Sequence, residues 1–75
     1  VKVKFTRHSK RRIRLYGISE DVISEVLLER DFTSGRHEII RKTAIHPYPL
    51  KIIFPKEGDI LTVMSAYPLK RGLKK

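Results

Sequence analysis

Apolar and polar residues alternate from the first position: Val1, Val3 and Phe5 are interleaved with Lys2, Lys4 and Thr6. A period of two predicts a strand with one greasy and one wet face. The segment from Arg7 to Tyr16 turns to helix-forming residues and stops at Gly17, a residue suited to a left-handed helix end. A second helix follows. Ser19 is placed to cap it, Glu20 and Asp21 lie at its positive end, Arg30 lies near its negative end, and Val22, Ile23, Val26 and Leu27 make one apolar stripe. Thr33, Ser34 and Gly35 read as a loop, and the β-branched content from Arg36 to Ile45 as a loosely alternating strand. A Pro-punctuated connection, His46 to Pro49, leads to a short strand, Leu50 to Phe54. Pro55 to Asp59 reads as a hairpin turn around Gly58. Ile60 to Tyr67 is almost continuously apolar, which predicts a central strand buried on both faces and ended by Pro68.

The predicted order is β-α-α-β-β-β, an α+β domain. A helical hairpin packs on one face of a mainly antiparallel four-stranded sheet, leaving the other face open and edged by the basic termini. Seventy-five residues hold one modest core, so the expectation is a single domain over 1–69 with a basic tail over 70–75. The absence of cysteine excludes disulfides and thiolate zinc sites. His8, His37 and His46 lack the close spacing of a metal site, so neither a metal nor another cofactor is expected. The longest apolar runs, such as Ile60 to Ala66, are too short to span a bilayer, and no secretory segment opens the chain. The expected location is the cytoplasm. The chain has no Asn, Gln or Trp, a composition in keeping with a thermophilic source.

Charge changes the picture most. Lys and Arg number 17 against eight acids, a net charge of +9. Seven bases and no acid lie between Lys2 and Tyr16, whereas Ser19 to Asp31 carries five acids and one base. Such segregation builds a positive face that attracts polyanions. No helix-turn-helix and no aromatic RNA-recognition strand is present, which disfavours sequence-specific DNA reading; a nucleic acid is the expected partner.

The first helix holds the leading chemical candidates. At about 100° per residue, His8 and Arg12 fall in the same broad arc as Leu15 and Tyr16, an expected core-facing side, while Lys10, Arg11 and Arg14 point elsewhere. A buried guanidinium needs a carboxylate, carbonyls or an anionic ligand, and an imidazole beside it can act as acid or base near neutral pH. The plainer alternative is that Arg12 pins the helix to backbone carbonyls. In the strands, Arg36, Arg41 and Lys51 are candidate phosphate contacts. Alternation puts His37, Ile39 and Arg41 on one side and Glu38 and Ile40 on the other. Arg41 beside Lys51 would repel unless an anion lay between them. Glu38 is a candidate base or a partner in a surface ion pair. Tyr67, on the closing strand, could stack on a base or close the core. Lys10, Arg11, Lys70 and Arg71 would add salt-sensitive phosphate contacts.

Several of these residues also form a pattern. Phe5-Thr6-Arg7-His8-Ser9, Arg12, Gly17-Ile18-Ser19, Gly35-Arg36 and Thr62-Val63-Met64-Ser65-Ala66-Tyr67-Pro68 together resemble the family called domain of unknown function 4258. That family is similar in topology to the RelE/ParE toxin superfamily. The resemblance covers nearly the whole chain and implies a RelE-like fold. RelE-like enzymes cleave RNA without a metal, and ParE-like relatives act on gyrase. By this likeness His8, Arg12, Arg36 and Tyr67 match the family's recurrent polar positions, whereas Tyr16 stands where the family commonly has a second helix arginine. The resulting expectation is an RNA-binding protein, with metal-independent endoribonuclease activity as its candidate chemistry. The other reading is a non-catalytic module that pairs with an antitoxin-like or other protein.

Overall fold

A computed structural model describes residues 1–44 and 46–69. The elements run β1 (Lys2–Phe5), α1 (Arg7–Leu15), α2 (Glu20–Leu28), β2 (Gly35–Arg41), β3 (Leu50–Glu57), β4 (Ile60–Val63) and β5 (Ser65–Pro68). The architecture is α+β, with two helices and a mixed five-stranded sheet. The predicted tail, 70–75, with Lys70 and Arg71, lies outside the described residues.

Local chemistry accounts for each helix boundary. Thr6 is extended, and its side chain accepts a hydrogen bond from the Ser9 amide at 3.0 Å, while Ser9 Oγ donates to the Thr6 carbonyl at 2.9 Å. These two bonds, both donated by Ser9, satisfy a free amide of the first turn and the hydroxyl of Ser9, the one polar residue buried among the described residues. Replacing Thr6 by alanine is expected to cost about 1 kcal/mol. An unchanged urea midpoint for the Thr6→Ala variant would show that the cap contributes nothing.

At the other end, Ile18 N–H donates to the Ile13 carbonyl at 2.9 Å and Gly17 N–H to the Arg14 carbonyl at 3.1 Å. With Gly17 at φ 71°, this is a Schellman cap, and its usual apolar contact is supplied by the buried Ile13 and Ile18. Ser19 caps α2 by accepting from Val22 N–H at 3.1 Å, as its sequence position predicts. The helix ends at Leu28, so Arg30 lies beyond it, over the ring of Phe32.

Strand β3 is central in the sheet. It pairs antiparallel with β2 on one side and with β4 and β5 on the other, and β1 adds to β4 in parallel. The sequence predicts one continuous last strand; the structure breaks it at Met64. Leu61 lies opposite Lys56, but Ser65 lies opposite Ile53, so three residues of the last strand face two of β3. One extra residue on one strand is a β-bulge. Pro55, which has no amide hydrogen to donate, sits opposite it.

Other boundaries move too. Strand β2 stops at Arg41 instead of running to Ile45. Strand β3 continues through Pro55 to Glu57, and the turn shrinks to Gly58 and Asp59, with Gly58 at φ 61° as a two-residue hairpin loop requires.

The core lies between the helices and one sheet face. It joins Ile13, Ile18, Ile23, Val26 and Leu27 to Leu50, Ile52, Phe54, Leu61, Val63 and Ala66. The last strand is therefore not buried on both faces: Leu61, Val63 and Ala66 are buried, Ile60, Thr62, Ser65 and Tyr67 are half-buried, and Met64 is exposed. The bulge keeps Ala66 on the core side after Val63, reversing the phase that strict alternation would give. The opposite face carries Glu38, Ile40, Lys51, Ile53 and Tyr67, with no helix upon it. Helix α1 packs chiefly against β5, the half of the last strand that β1 does not reach. No helix among the described residues is long and apolar enough to cross a membrane.

Candidate nucleic-acid interface

The composition of α1 is unusual for a helix: RHSKRRIRL has five Lys or Arg among its nine residues and no acid. Only Ser9 and Ile13 are buried within it, followed by the half-buried Tyr16 at its end. Those three positions lie on one side. Arg7, Lys10, Arg11 and Arg14, spaced i, i+3, i+4 and i+7, make a second stripe, about 140° around the helix from the buried one. All four are exposed, and together they line a shallow recess along the helix surface.

Neutralisation of this stripe does not come from within. Ion pairs among the described residues join Arg36 to Glu38, Lys51 to Glu38 and Arg41 to Glu29; none involves α1. The stripe contains four like-charged neighbours at i,i+3 or i,i+4 (7–10, 7–11, 10–14 and 11–14), each unfavourable by about 0.2–0.5 kcal/mol. Arg7 adds a charge at the positive end of the helix dipole. Capping and the burial of Ile13 hold α1 against roughly 1–2 kcal/mol of self-repulsion. A bound polyanion would remove that repulsion.

Other expected site residues are placed differently. His8 and Arg12 do not face the core; both are exposed on the flank of α1. The reason is the helix phase, which Ser9 and Ile13 set by facing the sheet, turning His8 and Arg12 toward solvent. Arg36 lies opposite Pro55 at the start of β2, and Tyr67 lies opposite Lys51, itself opposite Ile40. Two strand spacings and four residues therefore separate Arg36 from Tyr67, roughly 16 Å between their α-carbons. Arg36 and Tyr67 therefore do not share one cleft.

Arg41 and Lys51 do not face each other across an anion. Arg41 opposes Leu50 and bonds to Glu29 on the helix side, whereas Lys51 opposes Ile40 and reaches Glu38 at 3.4 Å on the open side. Glu38 takes up ion pairing, with Arg36 also within 3.8 Å. His37 packs between Phe32 and Phe54 and bonds to the Thr33 carbonyl at 2.7 Å, a structural role.

Of the expected phosphate contacts, Lys10 and Arg11 are in the stripe. Arg7 and Arg14 are its missed members. The i, i+3, i+4, i+7 spacing of basic residues is the sequence signal that marks them. Lys2 and Lys4, both exposed on β1, lie in register with Ile60 and Thr62 on the open sheet face, away from the stripe. No family model matches the chain, and neither a curated protein nor a solved structure shows significant similarity to it.

Proposed function

We propose that this is an RNA-binding protein of RelE-like type whose interface is the outer face of α1. The observation that carries the proposal is the stripe of Arg7, Lys10, Arg11 and Arg14, exposed and without ion-pair partners among the described residues. Glu29 and Glu38 pair with Arg41, Arg36 and Lys51 elsewhere on the surface, yet among the described residues no acid pairs with this crowded group of cations. Binding proceeds by release of counterions from the phosphates that these side chains neutralise. The resemblance to the domain of unknown function 4258 family supports RNA over DNA. The separation of Arg36 from Tyr67 across the sheet favours holding RNA over cleaving it.

With about four phosphates neutralised, the slope of log K against log salt lies between about −2.8 and −3.6. Affinity then falls roughly fifty- to hundred-and-fifty-fold between 50 and 200 mM salt. Fluorescence anisotropy with labelled RNA reads this directly, and Arg11→Gln is expected to make the slope shallower by about one. A salt-independent affinity, or one indifferent to Arg11, rejects the interface. Cleavage is tested separately by incubating mRNA with the protein in EDTA. RNA breakdown by the wild type that His8→Ala abolishes would replace the binding reading with the endoribonuclease one.

The open sheet face favours a second reading, a non-catalytic module paired with an antitoxin-like or other protein. Ile40 and Met64 are 45% and 47% exposed there, and a recess lined by Arg36, Ile53, Pro55 and Met64 lies on that face. Association with a co-expressed protein that survives high salt and is lost in Ile40→Asp distinguishes this from RNA binding.

A further inference from the structure

Resting on the RNA-binding reading, we infer that the α1 face takes a double-stranded RNA segment, held through its phosphates without base reading. Three observations converge on this class of ligand.

The first is what the stripe lacks. Its recess is lined by Arg7, Lys10, Arg11 and Arg14 and by no aromatic ring. Stacking on aromatic rings is the main device for gripping unpaired bases. The rings of this protein are placed elsewhere. Phe5, Tyr16, Phe32 and Phe54 belong to or pack against the core, Tyr67 lies on the open sheet face, and Tyr48 lies beyond β2. His8, the one ring on the solvent side of α1, is turned about 110° from the centre of the stripe.

The second is the chemistry of reading. The chain contains neither Asn nor Gln, the side chains that pair bidentately with adenine. The wide major groove of B-form DNA offers base edges to an inserted helix; the stripe's cations can meet guanine there but nothing on it pairs with adenine or cytosine. The deep, narrow major groove of A-form RNA withholds its base edges and leaves phosphates as the accessible partners.

The third is rigidity. Arg7 and Arg14 are anchored about 10.5 Å apart along a helix whose ends are both capped. A duplex likewise presents its phosphates at fixed positions, whereas a single strand must be ordered to match, at an entropy cost.

The experiment uses the whole chain and competition anisotropy at 100 mM salt. The competitors are a 20-base-pair RNA duplex, a duplex of scrambled sequence, unstructured oligouridylate of the same strand length, and a DNA duplex of the first sequence. Both RNA duplexes are expected to bind equally, and at least tenfold tighter than oligouridylate or the DNA duplex. Tighter or equal binding of oligouridylate overturns the inference while leaving RNA binding intact. A strong preference between the two RNA duplexes overturns the absence of base reading. Equal binding of the DNA duplex overturns the preference for A-form geometry. No salt-dependent binding to any RNA overturns the RNA-binding reading, and this inference with it.

Discussion

Replacing Arg7, Lys10, Arg11 and Arg14 together by glutamine is expected to abolish most RNA affinity while making the protein more stable. The two effects share one cause. In the free protein the four charges repel one another across neighbouring turns of α1, and in the complex phosphates neutralise them. Losing about four counterion-releasing contacts lowers affinity on the order of a thousandfold at 50 mM salt and flattens the salt dependence. Relief of repulsion contributes roughly 1–2 kcal/mol to the free protein. In a domain of this size each kcal/mol raises the melting temperature by about 4–8 °C. Glutamine is the appropriate substitute because its helix propensity is close to that of Arg and Lys, so the stability change reports charge. Calorimetry and anisotropy on the same preparations check both halves. A variant that loses affinity and is also less stable would mean that the stripe supports the fold and is not held in reserve for a ligand. Added salt should stabilise the wild type more than the variant, since it screens the same repulsion.

Truncating Phe54 to alanine is expected to remove a large part of the domain's stability. Phe54 is fully buried on the central strand, in edge contact with Phe32 at 4.9 Å and stacked with His37 at 5.4 Å between ring centroids. Removing a buried phenylalanine from such a site costs about 3–5 kcal/mol. A 75-residue domain has roughly 4–11 kcal/mol in total. Circular dichroism in a urea titration should show Phe54→Ala largely unfolded, or unfolding at a much lower midpoint. Phe54→Leu, which keeps most of the volume, retains a cooperative transition. An alanine variant within 1 kcal/mol of the wild type would mean that the core is not centred on this strand.

The helices were the most legible part of the fold. Gly17 and Ser19 announced their boundaries because caps act through residues adjacent in sequence, whereas Thr6, read as a strand residue, caps α1 in the structure. The alternation of β1 and β2 was equally readable, and it placed His37, Ile39 and Arg41 on the side where the structure finds them less exposed. The last strand misled. Its unbroken apolar run suggested burial on two faces, but Met64 is the extra residue of a bulge, and a bulge is defined by the partner strand. The site was legible only in part. A count of charges located a positive segment, whereas the pairing of His8 with Arg12 depended on knowing which side of α1 faces the sheet. Ile13 alone could not fix that phase; the buried Ser9 did, and a serine is not expected in a core.

By itself the sequence determined the two capped helices, the strand-forming segments and the concentration of positive charge before Gly17, since all of these depend on near neighbours along the chain. Tertiary structure alone decided the order of the strands, the bulge at Met64, the pairing of Glu29 and Glu38 with distant bases, and the turning of Arg7, Lys10, Arg11 and Arg14 to solvent as one stripe. These depend on which surfaces meet in space, because burial of Ile13 and Ser9 against the sheet selects a single rotation of α1 from the many that its composition allows.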